Sequence, residues 1–412
     1  MTETDVQEAI TRTHRAEWAR LVAALTRRFG DLDVAEEAAA EAFATAVERW
    51  RSDGVPPNPA AWLNTTAAHK AIDRIRRESR RDGKQKEARL MSDEPPRPTE
   101  PGGVIEDERL RLIFTCCHPA LAMKSRAALT LRMVGGLTVP EIARAFLVRE
   151  KAMEQRITRA KAKIKLAGIP YRVSTAEDLP TRVSGVLAVL YLVFNEGYLA
   201  TGPDSDPVRP DLTAEAIRLA RLIHALIPTD GEVSGLLALM LLTEARHRAR
   251  ISAAGELVTL AEQDRGAWDR ALIEEGHHLV RERLAAGVAP GRYQILAAIN
   301  AVHTSAGDMR DTDWGQIVAL YDQLVRLDSS PIVALNRAVA IAELDGPQVG
   351  LTTVEHLGDG LVDYHSYHAI RADLLRRLGH SRLSRAAYDR AIELAGNSAE
   401  IAYLTRRRDQ LG

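Results

Sequence analysis

The chain is poor in cysteine, in aromatic residues and in long apolar runs, and each shortage excludes something. Its two cysteines, Cys116 and Cys117, are adjacent, so no disulfide framework can be built, which fits a reducing cytoplasm. Aromatic residues make up 5% of the 412, while alanine and leucine are abundant. Strands favour β-branched and aromatic side chains, so this balance predicts packed helices. The longest apolar runs, Val183–Phe194 and Val233–Leu242, fall short of the about 20 residues a membrane span needs. The amino terminus lacks the basic-then-apolar order of a secretory signal. A soluble, cytoplasmic chain with no membrane partner is expected.

Catalytic signatures are also missing. No Walker loop, GxSxG or GxGxxG occurs, and no CxxC accompanies the cysteine pair. His277 and His278 follow Glu274 and Glu275 without making HExxH, and His365 and His368 sit beside Tyr364 and Tyr367 at a predicted helix start. Packing accounts for all of these better than metal does. The expectation is no enzyme activity, no metal and no cofactor.

What is present is a charge partition. The net charge of −1 divides into +6 over residues 1–170 and −7 over residues 171–412, and all eight lysines lie at or before Lys165. A basic part that meets a polyanion and an acidic part with another task are implied. At 46% hydrophobic and 27% charged residues, wholesale disorder is excluded, and the length suggests two or three domains. Residues 8–81 read as helices. Residues 82–108 hold Pro95, Pro96, Pro98, Pro101, Gly102 and Gly103 among charges, which is linker composition. Residues 109–170 are helical again, and 171–412 form a long helical region. Within it, Tyr321, Val354 and Tyr388 align similar stretches at spacings of 33 and 34 residues. A two-helix unit of about 34 residues is the tetratricopeptide period, clearest over 313–412.

Three helices carry the chemistry. In residues 137–165 a short helix over Val139–Phe146 precedes a second over Glu150–Lys165. Met153, Ile157, Ala160 and Ile164 form one apolar face, and Lys151, Gln155, Thr158 and Arg159 point the other way, with Arg156 nearer the edge. A helix-turn-helix needs this division, with one face packed and the other free to enter the major groove. A solvated basic face on a structural helix is the alternative. In residues 58–81, Asn58 is an N-cap and Pro59 a first helical residue. Ala61, Ala68, Ile72 and Ile75 form the expected apolar stripe, and Lys70, Arg74, Arg77 and Arg81 a basic row opposite. Four like charges in a row repel unless an anion neutralises them, and a nucleic-acid backbone would do so. The alternative is again a solvated face. Residues 31–50 make an acidic amphipathic helix with Asp33, Glu36, Glu37 and Glu41 expected outward, suited to a basic protein partner or to solvent.

Taken together, DVAEEAAAEAFATAV followed by AAWLNTTAAHKAIDRIRR, and then RAALTLRMVGGLTVPEIARAFLVREKAMEQRITRAKAKIK, resemble bacterial RNA polymerase sigma factors of the extracytoplasmic-function (ECF) group. The resemblance spans residues 8–168 and covers the sigma-2 and sigma-4 domains in order. The remainder resembles the carboxy-terminal extension of a subgroup with a tetratricopeptide-like domain. An all-α fold is implied, with two small sigma domains joined by a linker and followed by a helical array. The resemblance further implies that Asp33, Glu37 and Glu41 dock on the β′ clamp helices of core RNA polymerase, while sigma-4 touches the β flap. Asn58, Lys70, Arg74, Arg77 and Arg81 would meet the −10 element of promoter DNA. Arg149, Glu150, Lys151, Gln155, Arg156 and Arg159 would read the −35 element. Trp62 lies where the −10 strand would pass, with a packing role as the alternative. The chain departs from the family at Ala40, where Gln is common, and in the proline-rich stretch Val55–Pro59. A conventional helix-turn-helix regulator with a tetratricopeptide sensor is the competing reading, and a scaffold with a basic appendage a third. The acidic extension either inhibits or supports the sigma domains, or binds a protein or peptide.

Overall fold

The structure, a computed structural model, describes residues 3–81, 108–146, 148–169, 171, 179–199, 208–252, 256–396 and 398–411. The segment read as a linker, apart from its last residue, lies outside the described residues. The chain is all-α, and among the described residues the extended pairing is limited to an antiparallel bridge between Ile251 and Leu257. It divides into two compact units, Met1–Leu192 and Val193–Gly412.

The first unit opens with α1 (Glu3–Phe29), α2 (Leu32–Asp53) and α3 (Pro59–Arg81). Gly30, at φ +70, ends α1, because this left-handed turn disfavours a Cβ. Asp31 then caps α2 by accepting from the backbone N–H of Asp33 and Val34 at 2.9 and 3.2 Å. Asn58 caps α3 as expected, accepting from Ala61 N–H at 3.0 Å. The buried face of α2 carries Val34, Ala38, Ala42, Phe43 and Ala46. The α3 stripe is displaced from its expected position. Leu63, Ala67 and Ala71 are buried, Ala61 is exposed, and Ala68, Ile72 and Ile75 are half-buried. The stripe follows Leu63 rather than the isoleucines.

The unit continues with α4 (Glu108–Cys116), α5 (Met123–Thr130), a π turn (Leu131–Gly135), α6 (Val139–Ala145), α7 (Glu150–Leu166) and α8 (Leu179–Tyr198), whose later residues pass into the second unit. Here α1 packs against α2, α3, α4 and the π turn, so the two halves of the unit share one core. Gly136 follows the π turn at φ +75, and a Cβ there would lie 2.6 Å from His14 Cε1. Both conformation and space therefore require glycine.

The second unit is a run of consecutive helix pairs. Its centre is α10 (Gly231–Glu244), buried from Val233 to Thr243 and packed against α9 (Pro210–Leu226), α11 (Arg270–Ala285) and α12 (Arg292–Ser305). Burial on all sides explains its uninterrupted apolar sequence. Then α13 (Trp314–Leu327), α14 (Pro331–Asp345), α15 (Pro347–Glu355), α16 (His365–Arg377), α17 (Ser381–Leu394) and α18 (Ser398–Asp409) each pack on the next. The starts of α13, α15 and α17 are 33 and 34 residues apart, the spacing read from the sequence. Val354 and Tyr388 fill the core at equivalent places, and Tyr321 is half-buried. Ser384 is fully buried and its hydroxyl donates to Ala372 O at 2.8 Å.

Candidate nucleic-acid and protein interface

The α6–α7 pair has the geometry of a helix-turn-helix. Thr138 and Glu141 form a reciprocal capping box: Thr138 N–H donates to Glu141 Oε2 at 2.7 Å and Glu141 N–H to Thr138 Oγ1 at 3.4 Å. This fixes where α6 begins. Leu147, in the expected turn, lies outside the described residues. Along α7, Met153, Ile157, Ala160 and Ile164 are all buried, against α5 and α6. The opposite face is open. Arg149, Glu150, Lys151, Gln155 and Arg159 are exposed, and Arg156 is half-buried at its edge. Lys151, Gln155, Thr158 and Arg159 line a shallow groove with Glu154. The face presents cations and amides together, the side chains that hold phosphates and read base edges.

The basic row on α3 is different from the expectation. Lys70 pairs with Glu41 at 3.5 Å, and Arg74 pairs with Glu37. Two of the four cations are thus neutralised by α2, so their row does not by itself demand a nucleic-acid backbone. Arg77 is exposed, and Arg81 ends α3 with a side chain outside the described residues. Glu37 and Glu41, expected to bind polymerase, and Lys70 and Arg74, expected to bind DNA, thus form one ladder of alternating charge. Trp62 packs edge-on against Trp50 at 5.7 Å between ring centroids, which accounts for it structurally. Arg51 belongs to the last turn of α2.

Sequence reasoning missed a junction between the two halves of the unit. Glu36, expected outward, is 6% exposed. One carboxylate oxygen accepts from Arg132 Nε and the other from Lys161 Nζ. Lys161 also pairs with Asp33 at 2.8 Å, and Lys165 with Asp31 at 2.7 Å. Arg132 is braced by donating to Leu137 O at 2.8 Å. A signal for Glu36 was present. Leu32, Glu36, Ala39, Phe43, Ala46 and Trp50 recur at +4, +3, +4, +3 and +4, which sets Glu36 in the core seam of α2.

Cys116 and Cys117 are buried free thiols, and Cys117 Sγ lies 3.3 Å from Thr130 Oγ1. Burial pushes Cys117 up to about 11 and Cys116 well above the ordinary thiol range. Neither is poised as a nucleophile. His277 bonds Thr304 Oγ1 at 2.8 Å and His368 bonds Val362 O at 2.8 Å, which are packing roles. No cluster of metal-ligating side chains occurs among the described residues, and none of their helices is long and apolar enough to cross a membrane. In the second unit, a cleft of about 220 Å³ is lined by Gly235, Ala238, Leu279, Ile295 and Leu320, with Arg283 and Gln294 at its polar side.

Comparison with known proteins agrees with this geometry. Residues 14–81 match sigma-70 region 2 and residues 111–164 match sigma-70 region 4. Residues 182–284 match a family of unknown function, DUF6596. The two sigma-70 regions, in this order, support a sigma-factor function. The chain belongs to the same family as an uncharacterized protein of Rhizobium meliloti (strain 1021), which is 46% identical over 394 residues, covering 94% of this chain and 92% of that one. It also resembles the ECF RNA polymerase sigma factor SigK of Mycobacterium ulcerans (strain Agy99), at 28% identity over 149 residues, covering 34% of this chain and 74% of the relative. No solved structure matches the chain.

Proposed function

We propose that this protein is an ECF-type initiation subunit that brings core RNA polymerase to promoters and helps open the −10 region, without bond chemistry of its own. The observation that carries the reading is the open face of α7, where Lys151, Gln155 and Arg159 stand exposed over a packed apolar face, on a chain that also holds a sigma-70 region 2. In this reading Arg149, Glu150, Lys151, Gln155, Arg156 and Arg159 contact the −35 element. Asn58, Lys70, Arg74, Arg77 and Arg81 contact the −10 element. Asp33, Glu37 and Glu41 dock on the β′ clamp helices, and sigma-4 meets the β flap. Unstacking the −10 strand costs a few kcal/mol per base step, offset by captured bases and polymerase contacts. The protein works in the cytoplasm, on the nucleoid when active.

The second unit, as a tetratricopeptide-like array, would regulate or support these domains, and its groove would take a protein or peptide. A chain ended after Leu192 tests this. Gain of transcription means inhibition, loss means requirement, and no change refutes both.

The experiment for the main reading is run-off transcription from the gene's own upstream DNA with purified core polymerase. A discrete transcript that requires this protein and disappears in the double variant Arg156→Ala/Arg159→Ala supports it. Tight duplex binding without polymerase, and no transcript from either the full chain or the Leu192 truncation, would instead indicate a conventional helix-turn-helix regulator.

A further inference from the structure

In the second unit, α10, α11, α12 and α13 enclose the cleft of about 220 Å³. The sequence of α10 makes room for it. This helix is rich in leucine, but it turns Gly235 and Ala238 toward the cleft, and α12 turns Ala298. A Cβ on Gly235 would lie 2.6 Å from the backbone nitrogen of Gln294, so glycine lets α10 and α12 meet there. Leu279, Ile295 and Leu320 supply apolar walls. Leu284 and Val288 line the mouth and are exposed.

The polar side of the cleft holds donors that the fold does not use. Arg283 Nε is buried and has no hydrogen-bond partner. Among the described residues the guanidinium makes one long hydrogen bond, from Nη1 to Thr229 O at 3.5 Å, and no ion pair. A buried donor left without an acceptor is costly. Gln294 Oε1 accepts from Gly291 N–H at 2.8 Å, which orients the amide and leaves Nε2 to donate. A Cβ on Gly231 would lie 2.5 Å from Gln294 Nε2 and 2.7 Å from Arg283 Nη2, so the two donors stand side by side over this glycine. From α13, Gln323 adds a half-buried amide.

We propose that this cleft binds a small monoanionic carboxylic acid with an apolar body, its carboxylate on Arg283 and Gln294 and its body against Ala238, Leu279 and Leu320. Such binding does not depend on the sigma-factor reading. The size of the ligand follows from the volume. An apolar cavity of about 150 Å³ accommodates benzene, so the cleft suits one ring or a short aliphatic chain with a small polar group. Drug-sized ligands occupy pockets of about 300–1,000 Å³, and a nucleotide is excluded on the same ground. The charge follows from the lining. Arg283 is its one ionic side chain, and no carboxylate lines it, so a cation finds no partner there. A planar carboxylate matches a guanidinium through paired N–H···O bonds. A phosphate dianion would bring a second charge that no cation of the cleft meets.

The test uses the full chain and ligand-detected fluorine NMR with para-fluorophenylacetate as the probe. Wild type is expected to bind it with a Kd of about 1 mM or tighter, and phenylacetate, benzoate and hexanoate to displace it. The neutral para-fluorophenylacetamide keeps the shape without the charge and should bind at least about tenfold more weakly. Arg283→Met should weaken the acid by a similar factor and leave the amide unchanged. Ala298→Leu fills the cleft while keeping the cation, and should weaken both. Far-UV circular dichroism and thermal unfolding without ligand verify that each variant folds. No binding of the acids by wild type at about 10 mM would mean that water alone occupies the cleft, and would overturn the proposal. An acid that binds both variants as well as wild type sits elsewhere and overturns it too. An amide that binds as tightly as the acid, or phenyl phosphate that binds more tightly than phenylacetate, overturns the assignment of a monoanionic carboxylate.

Discussion

The indole nitrogen of Trp18 donates to the carbonyl of Met133 at 3.1 Å, joining residues 115 positions apart across the two halves of the first unit. Trp18 is 3% exposed, and its ring lies 5.0 Å from that of His14, both against Gly136. Trp18→Phe keeps an aromatic ring and removes the donor, leaving the Met133 carbonyl buried without it. A loss of about 1–2 kcal/mol is expected in urea unfolding of the first unit. Gly136→Ala adds a Cβ at φ +75 and 2.6 Å from His14, and a loss of about 1–3 kcal/mol is expected. Midpoints equal to wild type for both variants would mean that the junction contributes nothing to the folded unit.

On α7, exposed Lys151 and Gln155 stand on the same open face with different chemistry. Lys151 offers a point charge, so Lys151→Ala should weaken promoter binding evenly across sequences and lower the salt slope by about 1. Gln155 offers a paired donor and acceptor, so Gln155→Ala should cost about 1–3 kcal/mol on the preferred −35 sequence and little on others. Holoenzyme binding to matched promoter variants across a salt series separates them. Equal behaviour of the two variants would remove Gln155 from base readout.

The α2–α3 ladder predicts unequal roles within the basic row. Lys70 and Arg74 already face Glu41 and Glu37, whereas Arg77 is exposed. A cation partly neutralised by a neighbour gains less from a phosphate. Arg77→Ala should therefore weaken binding of a single-stranded −10 oligonucleotide by holoenzyme more than Lys70→Ala does. A larger loss from Lys70→Ala than from Arg77→Ala would show that the ion pair dissolves in the complex.

Much of this was legible because local pattern and packing agree. The buried face of α7, the cap at Asn58 and the 33- and 34-residue spacing of α13, α15 and α17 follow from periodicity and capping chemistry that act within a few residues. The misses are of another kind. The α3 stripe shifted to Leu63, Ala67 and Ala71 because helix spacing allows adjacent stripes, and the choice depends on what α1 and α2 present. Lys161 and Arg132 drew no reading from the sequence, because their partner, Glu36, lies 125 and 96 positions away. Charge type alone suggested that Glu36 was exposed, even though its place in the core seam of α2 argued otherwise.

In the second unit, His303 supplies a pH-dependent prediction. Burial, with the Arg246 and Arg265 charges adding to it, lowers His303 to about 4. Its ring packs edge-on against Trp314 at 5.4 Å, and its Nδ1 is buried. The neutral ring is the form the fold accepts, and the unfolded chain takes up the proton near the ordinary value of 6.5. Stability from this site is therefore complete above about pH 6.5 and is lost as pH falls toward about 4, by up to roughly 1.4 kcal/mol per pH unit. His247 and His277 are lowered as well, each first by burial, and add to the same slope. His303→Phe keeps a ring against Trp314 and cannot titrate. Urea midpoints of the second unit at pH 7.5, 6 and 5 should fall less steeply in this variant than in wild type, since the His303 contribution is removed. An unchanged slope would mean that His303 protonates in the folded state as readily as in water, and that its surroundings hold a route for solvent.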